Sequence, residues 1–177
     1  MALTRYVALL RGINVGKARQ VDMPRLREML TERGHENVRT HLRSGNVLLD
    51  STLGEKKLTA DLSAAIEEEF GFAVPVVLRT AAELADVVTA NPLEKVATDP
   101  KRYQVTFLPE KPAAKAVSDL PPADVGEYLV RGRELYMWLP GGVTDTPLAS
   151  WKWDKLLGVP GTARNWNTVT KLAELTG

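Results

Sequence analysis

Cysteine is absent from the 177 residues, which excludes disulfides and thiolate zinc sites. Histidine occurs only twice, as His35 and His41. Neither belongs to an H-x-x-x-H helix or stands beside a clustered carboxylate pair, so no metal and no other cofactor is expected. Long apolar runs are also lacking. The one nearest the start, Tyr6 to Leu10, is bracketed by Arg5 and Arg11 and is too short for a membrane span or a signal-peptide core. A cytoplasmic location is the expectation. The formal net charge of +1 lacks the basic excess of a dedicated nucleic-acid domain, and aromatics amount to only 6%, so sequence-specific nucleic-acid binding is not expected.

What is present suits a globular fold: 44% of residues are hydrophobic, and the length allows one large domain or two small ones. Charge is unevenly spread. Nine basic and five acidic side chains fall in the first fifty residues, against four and nine in the next fifty. Several of the early arginines, Arg25 and Arg33 among them, share a helical segment with Glu28 and Glu32, so intrahelical pairing accounts for them.

Periodicity sets out the elements. Tyr6 to Leu10 reads as a strand, residues 23 to 33 as an amphipathic helix led by Pro24, and Val38 to Leu42 with Asn46 to Leu49 as a hairpin around Ser44-Gly45. A second helix carries Leu58, Leu62, Ala65, Ile66 and Phe70 up to Gly71. A strand over Val74 to Leu78 follows, placed near a sheet edge by Pro75. This βαββαβ order predicts a ferredoxin-like plait.

Thr80 and Glu83 have capping-box spacing, Asn91-Pro92 ends that helix, and residues 91 to 101 read as a hinge. Strand, helix and hairpin then return at Tyr103 to Phe107, Pro112 to Leu120, Glu127 to Arg131 and Glu134 to Leu139. Ser150 is expected to cap a helix through Leu157 that carries both Trp151 and Trp153. A short strand near Gly161 to Ala163 and a helix capped by Asn165 complete the second set. The expected class is α+β, two ferredoxin-like modules in tandem, residues 1–79 and 80–177. The repetition is architectural, with no residue-level repeat to mark it.

The stretch Gly12-Ile-Asn-Val-Gly16-Lys17-Ala18 invites a phosphate-loop reading but has one residue too few between its glycines and Ala18 where a hydroxyl should hold magnesium. Arg11, Asn14 and Lys17 can nonetheless hold an oxyanion through side chains. Arg43-Ser44-Gly45-Asn46 lies at the hairpin. In a plait the first and third strands are neighbours, which brings the ends of both loops together. Asn165 at a helix start, with Arg164 before it, adds amides that favour an anion. The candidate ligand-binding residues are therefore Arg11, Asn14, Lys17, Arg43, Ser44, Asn46, Arg164 and Asn165. Catalytic machinery is not visible: Ser44 and His41 lack a third triad partner, and no G-x-S-x-G elbow occurs.

Tyr6-Val-Ala-Leu-Leu-Arg-Gly-Ile-Asn-Val-Gly16, Val38-Arg39-Thr40, Ser44-Gly45-Asn46-Val47 and Thr162-Ala-Arg-Asn-Trp-Asn-Thr-Val169 together resemble the bacterial DUF1697 proteins. The resemblance implies two ferredoxin-like modules and an uncharacterised function, and it carries over no catalytic residue. Lys17 following Gly16 directly, and Arg43 where glutamine is common, are departures from the family pattern. Three functional readings follow. The favoured one is a noncatalytic module for a small anionic ligand, a nucleotide or phosphorylated metabolite. The others are a small-molecule enzyme using an Arg/Asn cluster to stabilise charge, and a protein-interaction module without a ligand. Oligomeric state is left open.

Overall fold

A computed structural model describes residues 2–177. The chain is mixed α+β, with two four-stranded antiparallel sheets. Contacts divide it into two units, one running through Leu84 and taking in Leu175–Gly177, the other comprising Ala85–Glu174.

The first unit begins with β1 (Thr4–Leu10), α1 (Met23–Glu32), β2 (Glu36–His41), β3 (Asn46–Ser51), α2 (Glu55–Phe70) and β4 (Val76–Thr80). Its sheet runs β2-β3-β1-β4, which puts β1 and β3 at the centre. Because side chains alternate along a strand, Tyr6, Ala8 and Leu10 share one face with Val47, Leu49, Val76 and Leu78. There they form a core with Leu26, Met29 and Leu30 of α1 and Leu58, Leu62 and Ile66 of α2. Asp22 starts α1 by accepting from the Arg25 amide at 3.0 Å, and Pro24 lies in the first turn, where its missing N–H is harmless. Two carboxylates brace the unit from outside this core. Asp50 receives Arg5 Nε at 3.0 Å and Asn37 Nδ2 at 2.8 Å. Asp61 receives Arg33 Nη2 at 2.8 Å and lies 2.8 Å from Nε2 of the buried His35.

Helix α3 (Ala81–Ala90) opens with the capping box that the sequence predicts. The Thr80 amide donates to Glu83 Oε1 at 2.9 Å, and the Glu83 amide donates to Thr80 Oγ1 at 3.1 Å.

The second unit contains β5 (Tyr103–Phe107), α4 (Ala114–Ser118), β6 (Glu127–Arg131), β7 (Glu134–Trp138), α5 (Gly142–Asp145), a 3-10 turn (Pro147–Ser150), α6 (Trp153–Leu157), β8 (Thr162–Asn165) and α7 (Trp166–Thr176). Its sheet order, β6-β7-β5-β8, repeats that of the first. Three short pieces, α5, the 3-10 turn and α6, occupy the chain position of the single long α2. The expectation of one helix from Ser150 carrying both tryptophans is corrected here: Trp151 lies in the break before α6, with extended ψ of 146°. Both indoles nonetheless pack edge-on against Tyr128, at centroid distances of 5.8 and 5.2 Å.

Superposing the two pairing schemes reveals a residue-level correspondence that the sequence hides. Arg79 stands opposite Val7, and Arg164 stands opposite Val105. Each is buried, and each donates to the carbonyl of the residue before it, Arg79 to Leu78 at 2.8 Å and Arg164 to Ala163 at 2.9 Å. Each is followed by a helix cap, Thr80 for α3 and Asn165 for α7, whose Oδ1 accepts from the Thr168 amide at 3.0 Å.

Candidate functional site

The exit of β1 is pinned on both sides. The Leu10 amide donates to the Gly45 carbonyl at 2.8 Å, and the Arg11 amide donates to the Pro75 carbonyl at 3.0 Å. From there residues 11–22 form a loop that contains no regular element until α1. Central placement of β1 and β3 brings this loop beside the hairpin segment 42–45, as the sequence topology requires.

Asn14 ties the two segments together. Its Nδ2 donates to the Val21 carbonyl at 3.0 Å and the Arg43 carbonyl at 2.7 Å, and its Oδ1 accepts from the Val21 amide at 2.8 Å. Asparagine tolerates the left-handed backbone found there, φ 55°, better than most residues. The amide is thus fully used inside the loop. Asn46 is likewise wholly buried and donates through Nδ2 to the His41 carbonyl at 2.8 Å and to Ser44 Oγ at 3.3 Å. In both asparagines, named as candidate ligand contacts, Nδ2 is engaged by groups within the chain, which satisfies carbonyls that burial would otherwise strand.

The cations behave differently. Arg43 is exposed and donates through Nη2 to Gln20 Oε1 at 3.1 Å. Gln20 in turn donates to the Gly16 carbonyl at 2.8 Å and the Ala18 carbonyl at 3.2 Å, which holds the segment around Lys17 near Arg43. Lys17 is exposed, with no ion pair among the described residues. Arg19 donates to the Gly12 carbonyl at 2.9 Å and the Ala73 carbonyl at 2.8 Å, its guanidinium 4.9 Å from the Phe72 ring centroid. Arg11 is half-buried at the root of the loop, and Ser44 is exposed at the hairpin tip. An open cavity of about 300 Å³ lies alongside, lined by Gln20, Val21, Asp22, Met23, Pro24 and Arg43. Asp22, its one acidic wall, is committed to the α1 cap.

Elsewhere in this unit Arg5 pairs with Asp50, Arg25 with Glu28, Glu32 and Glu69, and Arg33 with Asp61 and Glu68, whereas Arg27 and Arg39 donate to Thr40 Oγ1 and the Leu175 carbonyl. Among the described residues Lys17, Arg19 and Arg43 meet no carboxylate. Arg19 and Gln20 were not anticipated from sequence. Arg19 carried a signal, a further cation in the same glycine-bearing loop; Gln20 carried none.

Arg164 and Asn165 belong to the second unit. Burial pushes the Arg164 guanidinium down to about 10. Asn165 Oδ1 serves the α7 cap. Close by, Tyr103 stacks on Trp166 at 4.6 Å between centroids and donates its hydroxyl to Asn91 Oδ1 at 3.0 Å, and burial raises its phenol to about 12. No group of three or more His, Asp or Glu side chains suited to a metal occurs among the described residues.

Comparison with known proteins adds the following. The family model described as "Protein of unknown function (DUF1697)" matches residues 3–136. No curated protein matches the chain. A solved structure of the conserved bacterial protein SP0830 from Streptococcus pneumoniae is similar over 99% of this chain and 100% of that one, with 22% identity and a TM-score of 0.80. At that identity the likeness speaks for the fold.

Proposed function

We propose that this chain, which belongs to the DUF1697 family, is a noncatalytic module that binds a small anion, a nucleotide or phosphorylated metabolite, on the loop cluster of its first unit. One observation carries the reading. Lys17, Arg19 and Arg43 are exposed on the loop and hairpin, Arg19 held by the Gly12 and Ala73 carbonyls and Arg43 by Gln20, and none of the three meets a carboxylate among the described residues, whereas Arg5, Arg25 and Arg33 are each paired with one. Charge held without a counter-charge on a backbone fixed by Asn14 is pre-organised for an anion, because the ligand need not order the loop. Lys17 and Arg43 are the proposed direct contacts, with Arg11, Arg19 and Ser44 at the margin. Arg164 is left out because burial and a strand carbonyl already occupy it.

The two sheet orders, each with strands in the sequence-to-space relation of a split βαβ unit, support reading the chain as two ferredoxin-like plaits in tandem that meet near Thr80. No helix of the described residues is long and apolar enough to cross a membrane. The proposed setting is the cytoplasm, where such anions occur. Nucleic acid would be held only electrostatically, without sequence preference.

Calorimetric titration of inorganic phosphate, then of ATP, into the full chain tests this. Binding that weakens with salt, and weakens at least about tenfold in a Lys17→Met/Arg43→Met double variant of unchanged melting temperature, is expected. A parent protein that binds neither anion, or a double variant that binds them equally well, overturns the proposal.

A further inference from the structure

We propose that strand β6, the outer edge of the second sheet, pairs with the same strand of a second copy of this chain about a twofold axis through Leu129. An unpaired edge offers free backbone donors and acceptors, and proteins usually blunt such edges with bulges, prolines or short strands. Three of the four edges here are blunted. Strand β2 shifts register between Glu36 and Arg39, with Asn37 at φ 52°. Strand β4 is entered through Pro75, and β8 is only 4 residues long. Strand β6 has none of these devices: its pairing with β7 is continuous from Glu127 opposite Trp138 to Arg131 opposite Glu134, and among the described residues no strand lies on its other side.

Its sequence then specifies the partner. Gly126-Glu-Tyr-Leu-Val-Arg-Gly132 is nearly symmetric about Leu129, but with opposite charges at matching distances. An antiparallel copy with Leu129 opposite Leu129 places each Glu127 across from an Arg131 and each Tyr128 across from a Val130. Opposite charges and apolar pairs directly across a ladder are both favourable, and like charges there are not. The strand ends at left-handed glycines on both sides, φ 86° at Gly126 and 60° at Gly132, so the paired segment has the same length from either direction. Glu127, Leu129 and Arg131 are exposed on one face, Leu129 at 37%. Tyr128 and Val130, on the other face, pack against the helix-side core and would extend that apolar layer into the second copy. Arg131 now holds Asp86 at 2.8 Å, but this pair is 45% and 61% exposed, the kind that contributes little and exchanges readily.

The test uses the symmetry, on the full chain, by sedimentation equilibrium over a range of concentrations. The parent should show a monomer–dimer equilibrium. Glu127→Arg and Arg131→Glu, each of which sets like charges across the axis, should each weaken self-association at least about tenfold while leaving the circular dichroism melt in place. Mixed together, the two variants should associate, since each then supplies the charge the other needs. A parent that stays monomeric at several hundred micromolar, variants that still dimerise alone, or a mixture that does not associate would each overturn the proposal.

Discussion

Gly45 is where the hairpin and the β1 exit touch most closely, and Gly45→Ala measures how much that contact matters. A Cβ built there lies 2.7 Å from Ile13 Cδ1, 2.8 Å from Leu10 Cβ and 3.2 Å from Ile13 Cγ1. The first of these atoms ends a side chain, but Leu10 Cβ is fixed to a central strand whose amide donates to Gly45 itself, so the backbone must part. The residue also sits at φ 94°, a left-handed conformation that costs an L-residue about 1–2 kcal/mol. Overpacking adds about 1–3 kcal/mol. The expected loss is therefore about 2–5 kcal/mol. Gly16→Ala provides the control, because Gly16 has φ 64° and nothing within 4 Å of its Cβ position, so only the backbone share applies. Urea denaturation followed by tryptophan fluorescence and far-ultraviolet dichroism reads both. If Gly45→Ala destabilises by no more than Gly16→Ala, the close approach between hairpin and strand is not what fixes the loop cluster, and the reasoning fails.

Asn14→Ala removes three hydrogen bonds and strands the Val21 amide, so a loss of about 2–4 kcal/mol is expected, with faster hydrogen exchange at Val21 as its local signature. Asp50 is held below the ordinary carboxylate range, first by its hydrogen bond from Arg5 and also by Asn37. The ionised form is thus favoured in the folded chain. Its contribution is complete above the ordinary value of 3.8 and is lost as pH falls through the lower folded value, so Asp50→Asn should flatten the acid limb of a stability–pH curve below about pH 4. An unchanged limb would remove Asp50 from the account of acid unfolding. Thr162 Oγ1 is buried without a hydrogen-bond partner among the described residues, so Thr162→Val should leave stability unchanged or raise it by up to about 1 kcal/mol in the same urea assay. A clear loss would mean that the hydroxyl is satisfied in solution.

Local signals account for what could be read from the sequence. Helix α1 starts where Asp22 and Pro24 announce it, the Thr80/Glu83 capping box forms as spaced, and alternation in Tyr103 to Phe107 delivers a central strand. These features depend on neighbours a few residues away, so amino-acid identity and spacing fix them. The α+β character and the approach of the Arg11 loop to the Arg43 hairpin also follow, because strand order constrains which loop ends meet. What the sequence could not decide is which polar side chains face inward. Asn14 and Lys17 are both polar residues of one loop, yet the first is consumed by carbonyls at Val21 and at Arg43, the latter 29 residues away, while the second is left to solvent. The same limit hid the match between Arg79-Thr80 and Arg164-Asn165, two dipeptides whose equivalence exists only through their pairing with Val7, Tyr6, Val105 and Gln104. Periodicity and capping are short-range and written in the chain; the fate of a buried amide or guanidinium rests on acceptors that only folding brings within 3 Å or so.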